Sequence, residues 1–380
     1  MRTHRVMRVA SALTPSRPFG SRLAMSASLP HDALARVVER AFGAGARCER
    51  ADALHGDAST RRYVRLHLTG APAPTVIAMV LGEGRFTPGS DEIVGGGPAI
   101  TELPFVNVGR WLARHDLPIP RLWHDAARDE GILLVEDIGD ATLWAAVADP
   151  ARLAPLFGEA VDLLVRLQIA GARDPDPACY AFHRRFDAAL ARAELEHFLD
   201  HGVETRHGRP LPAAERRALL RALEPVVAPF EDDATVLSHR DYMAWNIHVH
   251  AGGLRLIDFQ DALRAPDAFD LAQLLTDRTT PERVDVALER TLIDRFVAAR
   301  AAAGWPVPPG FDERYRLCAL QHAFKVIGRF WFLERVKGKP GYFAYLPAVY
   351  GLTRRLLAET PALAPVWPRL AELVPEIGPS

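Results

Sequence analysis

The stretch SHRDYMAWNIHVHAGGLRLIDFQD, residues 238–261, decides how the rest of the chain is read. It opens on His239-Arg240-Asp241, and Asn246 follows the aspartate after four intervening residues. A short apolar run, Leu254 to Ile257, then delivers Asp258 and Phe259. The two pieces of chemistry are joined by a hairpin.

The spacing has a chemical reading. Phosphoryl transfer needs a carboxylate beside the attacking hydroxyl, and hard oxygen ligands for the magnesium that neutralises the phosphates. H-R-D-x-x-x-x-N, a hairpin and then D-F is the order of a protein-kinase catalytic loop and its metal-binding aspartate. Asp241 is the expected base, and Asn246 and Asp258 are the expected metal ligands. The competing reading makes Asp241 and Asn246 turn-capping residues only.

Bulk properties set the frame. The chain has 380 residues, 49% of them hydrophobic, and a formal net charge of -1. That length suits one bilobal unit or two domains. The near-neutral balance argues against nucleic acid or an anionic membrane as the main partner. No apolar run approaches the ~18 residues of a membrane-spanning helix. Cys48, Cys179 and Cys318 show no metal-binding spacing and read as reduced thiols of a cytoplasmic protein. The only lysines are Lys325, Lys337 and Lys339, so arginine carries nearly all the positive charge.

Residues 1–25 hold five arginines and no acidic residue. They have the composition of a transit peptide without a secretory apolar core, and are read as a disordered extension. A helix is expected from His31, with Leu34, Val37, Val38 and Phe42 at helical spacing. The hydroxyl-rich turn GDAST, residues 56–60, leads into a strand whose Val64, Leu66 and Leu68 share one face. Ser59 and Thr60 are placed over phosphates by that turn. TVIAMVL, residues 75–81, is a buried strand with Met79 where a kinase lobe carries its phosphate-pairing lysine. Arg61, Arg62 and Arg65 are the candidates to replace that lysine, set against solvated strand-edge charges.

A glycine-rich loop over residues 82–98 precedes a helix over 102–114, buried through Phe105, Val108, Trp111 and Leu112. Glu102 either salt-bridges an arginine in place of the missing lysine or caps that helix, and the cap is the expected role. Residues 132–139, ILLVEDIG, are read as a strand entering a hinge, where the backbone of Glu136 and Ile138 is placed against adenine. This divides an N-terminal nucleotide-binding lobe, 26–137, from a C-terminal catalytic and substrate-binding lobe, 138–380. Helices are expected over 151–170, 186–201, 213–227 and 317–335. Glu194 and Glu196 are expected on a solvated face. Gln321, His322, Lys325 and Arg329 are expected on one helix face, either solvated or turned to an anionic substrate. Asp270 either anchors the catalytic loop or only charges a helix start.

With these residues in hand, the chain resembles the aminoglycoside-phosphotransferase superfamily, and within it the bacterial anomeric kinases of N-acetylmuramate and N-acetylglucosamine. The likeness rests on GDASTRRYVRL (56–66), IAM (77–79), PFVNVGRWL (104–112), ILLVEDIGDATL (132–143) and ARAELEHF (191–198). It continues in HRDYMAWN (239–246), LIDFQDAL (256–263), QHAFKVIGRF (321–330) and KGKPGYFAYLP (337–347). The resemblance implies an α+β, bilobal protein-kinase-like fold with a small β-rich N-lobe and a larger helical C-lobe. It implies ATP and Mg²⁺ as cofactors, Asp241 as base, and Asn246 and Asp258 as metal ligands. Glu194, Arg240, Asp261, Gln321, His322 and Lys325 are the set expected around the sugar. The reaction implied is transfer to the anomeric hydroxyl, by a monomer, with the product entering cell-wall recycling. The rivals are an aminoglycoside or amino-alcohol kinase of the same fold, and a nucleotide-binding module with little catalysis. A protein kinase is disfavoured, because no long activation segment follows Asp258.

Overall fold

In the computed structural model of the chain, residues 31–54, 61–82, 102–232 and 235–379 are described. The N-terminal part is a helix on a sheet. α1 (His31–Phe42) buries Leu34, Val37 and Val38, as its spacing predicts. The antiparallel sheet has the order β1-β2-β3-β5-β4. Its strands are β1 (Arg47–Leu54), β2 (Arg62–Thr69), β3 (Thr75–Val80), β4 (Leu122–Ala126) and β5 (Ile132–Glu136). Successive strand residues point to opposite faces. Ala78, Val80, Ile132 and Leu134 therefore pack with α1, while Met79, Leu133 and Val135 join the large core on the other side.

That large core is shared with α2 (Pro104–Arg114) and the helical C-terminal part. Glu102 does not cap α2. Leu103 holds the cap position, and the Glu102 carboxylate bonds Asn107 and Arg110 of the helix instead. Beyond β5 come α3 (Leu143–Ala146), α4 (Pro150–Arg173), α5 (Ala188–His197), α6 (Ala213–Ala222) and α7 (Glu224–Val227). The helix expected from Phe186 starts at Ala188, because Asp187 caps it by accepting the Leu190 N–H at 2.9 Å. It then widens into π-helical turns over Phe198–Thr205. The single helix expected over 213–227 is two, α6 and α7, broken around Leu223. Pro225 lacks an N–H and cannot continue α6.

The catalytic stretch supplies β6 (Val236–Ser238), β7 (Ile247–His250), β8 (Gly253–Leu256) and β9 (Leu263–Ala265). β7 and β8 form the expected hairpin. Behind them lie α8 (Phe269–Thr276), α9 (Val286–Ala302), α10 (Phe311–Trp331), α11 (Leu346–Ala358) and α12 (Trp367–Leu373). The result is a β-rich N-terminal part on a helical C-terminal part, the kinase-like class expected. Residues 1–25, Ser59, Thr60 and nearly all of the 82–98 loop lie outside the described residues.

Candidate active site

The loop between β6 and β7 is built from the bottom by one buried carboxylate. Asp270, at the start of α8, accepts from Ser238 Oγ at 2.7 Å and from the backbone N–H groups of His239 at 2.7 Å and Arg240 at 3.1 Å. Of the two readings of Asp270, the structure decides for the anchor. Burial pushes its carboxyl up, while the His239 and Ser238 contacts oppose that shift. Gln273, one turn along α8, takes the Tyr242 N–H at 3.1 Å. The Tyr242 hydroxyl reaches the Ala160 carbonyl of α4 at 2.7 Å. His239 Nε2 meets the Ile257 carbonyl at 3.0 Å, tying the loop to the residue before Asp258.

Above this floor stand the three groups of the motif. Asn246 Nδ2 donates to the Asp241 carbonyl at 3.0 Å, which leaves its amide oxygen as a neutral hard donor. The Ile257 N–H donates to the Asn246 carbonyl at 3.0 Å. Asp258 therefore follows directly on a backbone bond to Asn246. Both Arg240 (φ 77°) and Asp258 (φ 63°) are non-glycine residues in the left-handed region, strain that clusters at functional turns. The Phe259 ring is seated against Phe105 of α2, with centroids 4.8 Å apart. Gly109 leaves room for it, since a β-carbon there would sit 3.2 Å from Phe259 Cε2.

Asp258 opens to solvent, yet the protein around it pushes its carboxyl up, and the nearby Asp241 charge adds to the rise. Gln260 Nε2 donates to Asp258 Oδ1 at 2.7 Å. Two carboxylates close enough for the charge of one to raise the other, with an amide oxygen on the same loop as Asp241, form a donor set that a divalent cation would neutralise. The residues present therefore fit a magnesium held jointly with phosphates. Among the described residues no three His, Cys, Asp or Glu side chains group as an all-protein metal cage.

The N-terminal part contributes arginine where lysine is missing. Met79 is 2% exposed and packed in the core, so it presents nothing to the cleft. Arg61 hydrogen-bonds with Tyr63 and lowers the Asp258 carboxyl electrostatically, which puts it at the cleft. Tyr63 also senses the Asp258 charge. Tyr63 is not among the expected site residues, although its place two positions from Arg61 is visible in the sequence. Arg65 is not available for phosphate. It bonds Asp137 at 2.7 Å and Asp140 at 2.8 Å, clasping β2 to the segment after β5. Arg62 is exposed.

Around the hinge, the Glu136 N–H is spent on the Arg121 carbonyl and the Ile138 carbonyl accepts from His250 Nδ1. The Ile138 N–H donates to nothing among the described residues.

Several expected substrate groups are placed differently. Glu194 is 5% exposed, and so is not on a solvated face. Gln321 donates to it, and Lys325 Nζ pairs with it at 3.1 Å. His322 turns away from that pair and meets Asp277 at 3.1 Å. Arg329 lies over the Phe332 ring, so the four residues do not form one recognition face. Arg240 and Asp261 are 3% and 7% exposed, buried within electrostatic reach of Arg184.

Two aspartates and an asparagine, on an anchored loop and just past the hairpin that follows it, with a β-rich part joined to a helical part, are the arrangement of a kinase-like fold. Residues 50–311 match the phosphotransferase enzyme family (APH), and the chain belongs to that family. It is 31% identical over 278 residues to the N-acetylmuramate/N-acetylglucosamine kinase of Pseudomonas aeruginosa, covering 71% of this chain and 78% of that protein. The enzyme of the same name from Neisseria meningitidis is 30% identical over 263 residues, 67% of this chain and 75% of that one. Choline kinase LicA from Streptococcus pneumoniae shares the fold, with a TM-score of 0.54 at 15% identity over 86% of this chain and 99% of that one.

Proposed function

We propose that the chain is an ATP- and Mg²⁺-dependent kinase for the anomeric hydroxyl of an N-acetylated amino sugar, N-acetylmuramate or N-acetylglucosamine or both. The observation that carries the reading is the anchored Asp241–Asn246–Asp258 turn in a chain about 30% identical to kinases named for those sugars. Asp241 takes the proton of the acceptor hydroxyl as the hydroxyl oxygen attacks the γ-phosphorus, and the bond from that phosphorus to the bridging oxygen breaks to release ADP. Asn246 and Asp258 would hold the magnesium, whose positive charge would offset the negative charge of the phosphates. Arg61, beside Asp258, is the cation placed to steady the phosphates in place of the absent lysine. The Ile138 N–H is the donor left to read an adenine edge.

The product of this reading is a sugar 1-phosphate, made by a monomer in the cytoplasm and passed to cell-wall recycling. The test is ³¹P NMR of the purified protein with ATP, Mg²⁺ and N-acetylmuramate, N-acetylglucosamine, glucose or an aminoglycoside. A sugar 1-phosphate resonance that disappears in Asp241→Ala is the expected result. Phosphate on the aminoglycoside alone would overturn the substrate while keeping the chemistry.

A further inference from the structure

Beside the catalytic turn the described residues place an arginine whose geometry the turn does not explain. Arg278 follows α8 closely, after Asp277, and has φ 48°, in the left-handed region that a residue with a β-carbon seldom adopts. Its guanidinium lies between two rings, 5.4 Å from the Trp245 centroid and 5.7 Å from the Tyr345 centroid. Its Nε is 3.5 Å from Asp277 Oδ2, and that carboxylate is also bonded by His322 at 3.1 Å. Among the described residues the guanidinium forms no hydrogen bond, and its side chain is 21% exposed. A strained backbone, two rings bracketing the cation and two uncommitted terminal nitrogens describe a fork waiting for an acid.

The position agrees. Trp245 immediately precedes Asn246 and lies four residues after Asp241. Its ring is 5.5 Å from Trp144, which Arg283 covers at 3.7 Å. Trp144, Trp245 and Tyr345 are all partly open, so the aromatic surround of Arg278 is one that a solute can reach. The same helix, α8, sets both ends of the arrangement. Asp270 and Gln273 hold the catalytic loop, and the helix ends at Thr276, two residues before Arg278.

We propose that Arg278 is the specificity-determining residue that receives the carboxylate of an acceptor sugar that bears one. N-acetylmuramate carries such a group on its lactyl ether, and N-acetylglucosamine does not. The inference rests on the amino-sugar reading above. A bidentate carboxylate would occupy the two terminal nitrogens while the rings and Asp277 keep the plane of the fork.

The test compares wild type, Arg278→Gln and Arg278→Lys on both sugars, by kcat and KM with ATP and by calorimetric titration of each sugar without nucleotide. Arg278→Gln is expected to lose roughly 10- to 100-fold more kcat/KM for N-acetylmuramate than for N-acetylglucosamine. The loss is expected mainly in KM, with a matching rise in the calorimetric Kd. Arg278→Lys, which keeps charge and bulk but not the fork, is expected to fall between, and it reads the same quantity if the glutamine variant does not fold. Equal losses on the two sugars, or none, would overturn the proposal. If wild type phosphorylates N-acetylglucosamine but not N-acetylmuramate, the carboxylate role falls and the amino-sugar reading stands. If it neither binds nor phosphorylates either sugar, the amino-sugar reading itself falls.

Discussion

Asp241 and Asp258 hold their places through backbone bonds around them rather than through deep burial of their own carboxylates. Replacing either with asparagine should therefore spare the fold and remove chemistry. We expect kcat to fall on the order of 10²- to 10⁴-fold for Asp241→Asn, read by ADP release, with the thermal melting temperature near wild type. Near-normal turnover would remove Asp241 from the base role. His239 makes a different prediction. It is 2% exposed and its Nδ1 has no partner among the described residues, so burial pulls its pKa below the ordinary value and favours the neutral ring in the folded chain. In the unfolded chain it takes a proton at about pH 6.5. Stability from this residue is thus complete above that value and lost as pH falls through it toward the folded pKa. Melting temperature should decline on acidification from about pH 7 to about pH 5.5. His239→Asn, which does not titrate there, should decline less.

At the scale of elements, α8 is the ruler of the site. Asp270 satisfies a hydroxyl and two backbone donors that have no water to turn to. Asp270→Ala would orphan the Ser238 hydroxyl and the His239 N–H, while the Arg240 N–H keeps Ser238 Oγ at 3.0 Å, at a cost on the order of 3 kcal/mol, visible as a lower urea midpoint together with reduced turnover. An unchanged midpoint would show that the loop holds itself. The α10–α5 junction carries a second prediction. A β-carbon on Gly328 would sit 2.8 Å from Phe198 Cα and 2.9 Å from the His197 carbonyl, both backbone atoms that cannot swing aside. Gly328→Ala should cost about 1–3 kcal/mol in the same measurement, whereas an indifferent midpoint would mean the helices separate freely.

Across the whole molecule, the two parts meet at the segment after β5, where Arg65 grips Asp137 and Asp140. Arg65 is 18% exposed and Asp137 8% at the side chain, so removing the cation strands a nearly buried carboxylate. Arg65→Ala should destabilise by about 2 kcal/mol and raise KM for ATP, because the hinge segment loses its attachment to β2. A KM for ATP equal to wild type would confine the clasp to stability.

Much was legible in the linear chain because local physics sufficed. The helix at His31, the strands around Val64 and Met79, the β7–β8 hairpin and the Asp241–Asn246–Asp258 spacing all follow from periodicity or from contacts within a few residues. The kinase-like class and the family followed from the same stretches. What stayed hidden depended on partners distant in sequence. Whether Asp270 was an anchor, whether Arg65 was a phosphate ligand, and whether Glu194 was solvated were settled by groups 30 to 127 positions away. The two sides of the QH-x-x-K helix likewise divide only because α5 presents Glu194 to one and the end of α8 presents Asp277 to the other. By itself the sequence determined the family, the fold class and the order in which Asp241, Asn246 and Asp258 follow one another. Only the tertiary structure decided which charges are spent on one another, because pairing in a low-dielectric interior depends on packing that no local pattern encodes.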